Sequence, residues 1–233
     1  GTKNTLIGQF AGSSIQDDDY NTAVGHEALL NATAGSGNTA IGALAMGLGA
    51  ATGSNNTCVG MDTGYDLTSG DSNVMVGKNA GYNATTGKQN VIIGFDACGL
   101  GVLANASSTQ GMYNVVVGPQ AGYDLTTGQK NILLGKDAGA NFTDNHNNIA
   151  IGFGALDAAT GGEYNNVAIG SDALGSENSN ADYCVAIGRE ALALQNADVK
   201  NTAIGGLAGD AITSGSNNTF VGYQAGSSVQ TGT

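Results

Sequence analysis

The sequence predicts an all-β fold, a parallel β-solenoid of about 13 coils of 17–18 residues, and three observations support this. A motif recurs through all 233 residues: Asn, a β-branched residue, a variable apolar residue, Ile or Val, and then Gly. The spacing between motif glycines is regular, and a fixed short period is the signature of a solenoid, whose coils bury apolar surface only against their neighbours. Finally, the chain has 39 Gly and one Pro, as expected where Pro would interrupt backbone ladders. The motif glycines are 17 or 18 residues apart, apart from one interval of 24: Gly8, Gly25, Gly42, Gly60, Gly77, Gly94, Gly118, Gly135, Gly152, Gly170, Gly188, Gly205 and Gly222.

Each motif predicts a short strand. The run at 166–170, Asn-Val-Ala-Ile-Gly, is typical: β-branched residues favour strands, and Gly ends them. Strands stacked in register about 4.8 Å apart would give a rod about 60 Å long. We therefore expect residues 1–233 to form one solenoid domain, an excerpt of a longer fibre, with a loop insertion at 99–113.

The return half of each coil carries turn signals. A Gly stands three residues before the strand Asn in several coils, and we expect these corner glycines to adopt positive φ. Examples are Gly35, Gly70, Gly87, Gly128 and Gly215.

Both faces of each strand are apolar. Side chains alternate along a strand, so the residues one and three before the motif Gly share one face, and the residue between them lies on the other. Strands that are apolar on both faces are buried on both faces, whereas a coil encloses one interior. We expect the middle residues to pack against sister chains in a parallel homo-oligomer, with a trimer preferred. The predicted subunit interface comprises Ala23, Ala40, Met75, Ile92, Val116, Leu133, Ala168, Ala186 and Phe220.

An Asn column precedes the strands, broken only by Cys184. Two structural interpretations remain open: stacked carboxamides that hydrogen-bond along the rod, or residues that suit the turn into each strand. The column comprises Asn4, Asn21, Asn38, Asn56, Asn73, Asn90, Asn114, Asn131, Asn148, Asn166, Asn201 and Asn218.

These repeats resemble two families of fibrous proteins. Asn-Asn-Val-Ala-Ile-Gly at 165–170 and Asn-Thr-Ala-Ile-Gly at 38–42 are similar to the head repeats of YadA-type trimeric autotransporter adhesins. Ala-Gly-Tyr at 121–123 and Tyr-Gln-Ala-Gly at 223–226 resemble the Gly-rich repeats of phage tail-fibre and related viral fibre proteins. The resemblance implies a left-handed β-roll in a parallel homotrimer, with a shaft or adhesive role and no catalysis. The period is longer than is typical of the adhesin heads, which favours a fibre relative.

The charge and hydropathy patterns exclude some classes of binding partner. A net charge of -12 opposes docking on nucleic acid or anionic membranes. The sequence has no apolar run near 18 residues, so we expect no direct membrane insertion. We expect an extracellular protein, on a virion fibre or a bacterial cell surface, with a cell-surface glycan or protein as its receptor.

The sequence predicts no catalytic, cofactor or metal site. The acidic residues two places after the motif Gly, such as Asp62 and Asp96, mostly skip a coil, which indicates a solvated column rather than a glycosidase pair. His26 and His146 have no Ser or Asp partner at a fixed spacing. Cys58, Cys98 and Cys184 occupy different coil positions and are interpreted as packing residues.

The 24-residue coil offers the first candidate for receptor contact. Insertions in solenoids map to loops that often bind ligands; the alternative is a bulge whose Leu100, Val102 and Leu103 pack on the rod or on another chain. The candidate contact residues are Asn105, Ser108, Gln110 and Tyr113. A Thr column, Thr5, Thr22, Thr39 and Thr57, also suggests ice binding, but its position holds Val or Ile from the fifth coil to the eleventh and shares a face that we expect to be buried.

Overall fold

A computed structural model describes residues 1–104, 111–160, 162–176, 182–195 and 200–231. These residues form a β-solenoid with all 13 strands in one parallel sheet, in chain order. No helix of the described part is long and apolar enough to cross a membrane. The strands are β1 (Thr5–Ile7), β2 (Thr22–Val24), β3 (Thr39–Ile41), β4 (Thr57–Val59), β5 (Val74–Val76), β6 (Val91–Ile93), β7 (Val115–Val117), β8 (Ile132–Leu134), β9 (Ile149–Ile151), β10 (Val167–Ile169), β11 (Val185–Ile187), β12 (Thr202–Ile204) and β13 (Thr219–Val221).

The register is constant along the stack. Equivalent residues of successive coils lie side by side, as in Ala150 beside Ala168 and Ala168 beside Ala186. The 24-residue coil keeps this register, because Val91 pairs with Val115. The insertion therefore leaves the strands in phase.

The middle residue of each strand points into the coil. This residue is fully buried within the single chain in β2–β12, whereas the first and third residues are half-buried or exposed in every strand. The prediction that a sister chain covers the middle residues is therefore wrong. Ala23, Ala40, Met75, Ile92, Val116, Leu133, Ala168 and Ala186 have no exposed surface, and Phe220, in the last coil, is half-buried against the core.

The interior is completed by the return half of the coil. The residue three places after the motif Gly is Ala in most coils and is buried, as at Ala80 and Ala138. In the fourth coil it is Thr63, whose hydroxyl donates to the Gly77 carbonyl at 2.7 Å, so the buried polar atom is satisfied. Leu67, Leu125 and Phe142 close the far side of the interior.

Side-chain volumes compensate within the coil. Where the middle strand residue is Ala, the residue four after the motif Gly is generally large, as in Ala150 with Leu156 and Ala168 with Leu174. Where the middle residue is large, that position is generally Gly: a Cβ on Gly139 would lie 2.9 Å from the Leu133 Cδ2 atom. Close packing of interiors explains this reciprocity.

The motif glycines are required for two reasons. Gly94 and Gly118 have φ of 141°, which side chains rarely adopt. A Cβ on Gly118 would also lie 2.3 Å from the carbonyl oxygen of Gly135 in the next coil.

The corner glycines differ from the prediction. Gly35 and Gly70 do not have positive φ; the left-handed residues stand two places later, at Gly37 and Ser72. Gly is needed at the corner because a Cβ on Gly70 would meet the Gly87 carbonyl oxygen at 2.4 Å. Contact between coils, and not backbone conformation, selects Gly there.

Candidate functional site

The strongest candidate for a functional surface is the outer side of the sheet, formed by the first and third residues of all 13 strands. We call this surface the strand face. It contains Thr, Val, Ile and one Leu, and no charged residue. Several of its side chains are exposed, including Val74 at 38% and Ile204 at 41%, and exposure is greatest in the end strands, at Ile7 and Val221.

The strand face has an aliphatic centre and hydroxyl-bearing ends. From β5 to β11 both positions of every strand are Val, Ile or Leu, whereas the first residue is Thr in β1–β4, β12 and β13. The Thr column of the sequence therefore lies on the outer face of the sheet, and its assignment to a buried face was wrong. Seven strands with Val or Ile at this position, β5–β11, separate the two groups of Thr residues.

Among the described residues, ion pairs lie on walls of the solenoid other than the strand face. Three basic side chains directly after the motif Gly lie close to the acidic residue that follows them. The His26 Nε2 atom is 3.8 Å from the Glu27 Oε1 atom, the Arg189 guanidinium is 2.6 Å from the Glu190 carboxylate, and Lys136 pairs with Asp137. The acidic position itself has positive φ, as at Asp62 and Asp96. Asp and Asn tolerate this conformation best, so backbone geometry contributes to the acidic column.

The Asn column forms a hydrogen-bonded ladder along the stack, interrupted at Cys184. Asn114 illustrates the pattern: its Nδ2 donates to the Asn90 Oδ1 at 3.1 Å and to the Gly128 carbonyl at 2.9 Å. Its Oδ1 accepts from the backbone N–H of Asn131 at 3.1 Å. Each Asn thus closes its own coil across the interior and connects it to the next. The interior members, Asn21, Asn38, Asn56, Asn73, Asn90, Asn114, Asn131, Asn148, Asn166 and Asn201, are buried, and the terminal Asn4 and Asn218 are half-buried.

A buried glutamine repairs the ladder where Cys184 interrupts it. Gln195 points into the interior of the same coil, and its Oε1 accepts from Asn201 Nδ2 at 2.9 Å. Its Nε2 lies 3.0 Å from the Cys184 Sγ atom. The carboxamide missing from the column is therefore supplied from the opposite wall. The sequence signal is a lone Gln seven residues after the motif Gly, a position that holds Ala, Leu, Ile, Val or Phe in most other coils.

A second polar cluster lies inside the stack near β9. Asn145 and Glu163 are both fully buried at the corner position, and the Asn145 Nδ2 donates to the Glu163 carboxylate. The Asn148 Nδ2 donates to the Glu163 carbonyl at 2.8 Å, which preserves the pattern of the ladder.

Of the predicted receptor loop, only its two ends are described. Asn105, Ser108 and Gln110 lie outside the described residues. Tyr113 is 48% exposed and has φ of 61°, and it occupies the ordinary position before a ladder Asn.

The flanks of the insertion belong to the rod. Gly101 N donates to Tyr123 O at 2.9 Å, and Gly111 N donates to Thr127 O at 3.0 Å. Leu103 fills the interior, whereas Leu100 and Val102 remain exposed.

Within the described ranges, no three His, Cys, Asp or Glu residues are grouped so that they could hold one metal ion. Burial raises the pKa of the Cys58 and Cys98 thiols to about 12. Both thiols are therefore protonated at neutral pH and serve as packing groups.

A small cavity of about 160 Å³ lies between Arg189, Gly206, Leu207 and Tyr223.

Comparison with known proteins adds no assignment. No family model matches the chain. No curated protein matches it either.

Proposed function

We propose that this chain is a non-enzymatic shaft segment of a homotrimeric fibre, of the kind found in viral or phage tail fibres, which provides stiffness and reach for host attachment. The observation that carries the proposal is the unbroken stack of 13 in-register coils. Every coil is tied to the next by backbone bonds and by the Asn ladder, with Gln195 taking the place of the missing carboxamide at Cys184, so bending the rod strains many bonds at once.

The shape supports the same role. Twelve spacings of about 4.8 Å give a rod about 58 Å long, and repeat architectures of this kind extend by adding coils without changing the local fold. With three copies, the uncharged strand faces converge on a common axis and the acidic walls face solvent. A net charge of -12 per chain then keeps separate fibres apart.

The proposal is tested by mass and shape in solution. Light scattering should give a whole-number multiple of the 23.0 kDa chain, three in the preferred assembly. Small-angle scattering should give a rod with a long dimension near 60 Å, about as long as one chain. A monomer at all concentrations, or a compact flexible particle, would contradict the proposal.

The alternative is the head of a bacterial trimeric adhesin that binds host matrix or glycans. One observation favours it: Phe95 and Phe153, directly after motif glycines, are 50% and 53% exposed on the outer wall. Exposed aromatic rings suit contact with sugars or proteins. Saturable binding of the isolated rod to matrix proteins or glycans would support this alternative over a passive shaft.

A further inference from the structure

We propose that copies of this chain associate through the strand face, parallel and in register, with β5–β11 forming the water-free centre of the contact. This inference rests on the proposed fibre function and identifies the surface that assembles it. This surface differs from the one that the sequence predicted, because the middle strand residues are buried in the interior of their own coil.

Charge indicates that the occupant is a second copy. None of the 26 strand-face residues is charged, although the sequence holds 7 basic and 19 acidic residues. Two copies of net charge -12 repel each other through their other walls. The strand face is the long surface on which two identical acidic rods can approach without placing like charges together.

The area is sufficient for a stable contact. A face about 58 Å long and about 10 Å wide, the length of a three-residue strand, covers about 580 Å² per copy. Two such faces bury about 1,200 Å², which reaches the lower limit of specific interfaces. A strip of this size is at the upper end of what monomers expose, and larger apolar patches mark interaction sites.

The order of side chains along the face favours the parallel, in-register arrangement. In that arrangement every Thr-bearing strand meets its own copy, and every aliphatic strand meets an aliphatic one. An antiparallel arrangement would place Thr39 of β3 against β11 and Thr57 of β4 against β10, both aliphatic. Buried hydroxyls without partners cost free energy, so this mismatch disfavours the antiparallel dimer.

The first experiment compares charged substitutions on two walls. The strand-face variant Val117→Asp/Ile151→Asp places carboxylates at half-buried positions of β7 and β9. Its matched control, Leu48→Asp/Leu100→Asp, changes leucines of the return half that are 55% and 56% exposed. Light scattering should give monomer mass for the strand-face variant, and the native multimer mass for the control.

Circular dichroism and the milder variant Val117→Thr/Ile151→Thr separate dissociation from unfolding. Thr already occupies this face in six strands, so the mild variant should keep the β-sheet spectrum and weaken association at least tenfold. If both strand-face variants retain the native mass and affinity, this inference is overturned while the fibre proposal stands. If the unmodified chain is itself a monomer, both proposals fail.

A cysteine experiment tests the orientation. Thr22→Cys should cross-link to its own copy under mild oxidation, because β2 meets β2 in the parallel arrangement. The native cysteines are buried and do not compete. Cross-linking of Thr22→Cys only with Thr202→Cys, in a mixture of the two variants, would show the antiparallel arrangement and overturn the proposal.

Discussion

An asparagine carboxamide both donates and accepts hydrogen bonds, and this explains why Asn and not Asp recurs before the strands. The donor closes the coil onto its corner carbonyl, and the acceptor receives the next coil's backbone N–H, as Asn114 does with Gly128 and Asn131. Asp lacks the donor at neutral pH. Both open interpretations of the column have a counterpart in the structure, since Asn also follows a residue of positive φ at the entry to the strand, such as Tyr113.

Removing one ladder carboxamide should destabilise the rod strongly. Asn114→Ala leaves the buried Gly128 carbonyl and Asn131 N–H without these partners, and we expect a loss of about 2–4 kcal/mol in the free energy of unfolding. The control is Asn83→Ala: the half-buried Asn83 donates to the Gly99 and Leu100 carbonyls, and its loss should cost less than about 1 kcal/mol. Chemical denaturation measures both, and equal losses would contradict a special role for the ladder.

Asp157 should oppose folding at neutral pH. Burial raises the pKa of its carboxyl, and the nearby Asp172 raises the pKa further. The folded state therefore binds more protons than the unfolded state just above the usual pKa, and stability falls as pH rises through the raised pKa. Asp157→Asn should raise the thermal midpoint at pH 7, with no gain remaining below about pH 3.8, the usual Asp value.

The pKa of Asp71 is shifted in the opposite direction from that of Asp157. Burial pulls its pKa upward, but the hydrogen bonds from Lys88 and from the Ser54 backbone outweigh burial, so the pKa is lowered. The Lys88 Nζ lies 2.7 Å from the Asp71 Oδ2. Asp71→Asn should therefore lower the thermal midpoint at pH 7, with the difference fading as pH falls through the lowered pKa. The same sign for both variants would refute this account.

At the scale of one coil, two positions share a fixed volume. The middle strand residue and the residue four after the motif Gly fill the same part of the interior, so a large residue at one is matched by a small one at the other. The last coils show that neighbours take part: Ala203 and Gly209 are both small, and a Cβ on Gly209 would lie 2.9 Å from Leu192 Cδ2 and from Phe220 Cδ2.

Exchanging the two sizes should recover the stability that each single change loses. Leu133→Ala opens a cavity and should cost about 2–5 kcal/mol, and Gly139→Leu overpacks the site and should cost about 1–3 kcal/mol. The double variant recreates the pairing of Ala150 with Leu156, where Leu already has φ of 51°. Urea unfolding of all four proteins gives the coupling, and additive losses would contradict shared volume.

For the whole molecule, the repeat predicts the number, position and pairing of the strands, because equivalent residues in every coil adopt the same local structure. All 13 predicted strands are present with constant register, including the pair on either side of the 24-residue interval. The prediction of the assembly face was wrong for a physical reason. The alternation of side chains shows which residues share a face of the strand. Because both faces are apolar, it does not show which of them the coil encloses.

The sequence did contain a signal for the face that the coil encloses. The middle residues range from Ala to Phe, and their sizes are compensated by a second position, as interiors require. The outer residues are nearly uniform in shape and almost all β-branched, which indicates a flat outer surface and not a packed interior. The Gln195 repair of the ladder could not be found in this way, because it depends on which walls of the coil meet across the interior.

The amino-acid sequence by itself determined the one-dimensional order of this protein: the coil count, the strand positions, the register and the Asn column. A strict period forces equal coils to stack in equal positions. Only the tertiary structure decided which apolar side is enclosed and which is left outside, because the direction in which each coil closes depends on the return half and its contacts with neighbouring coils.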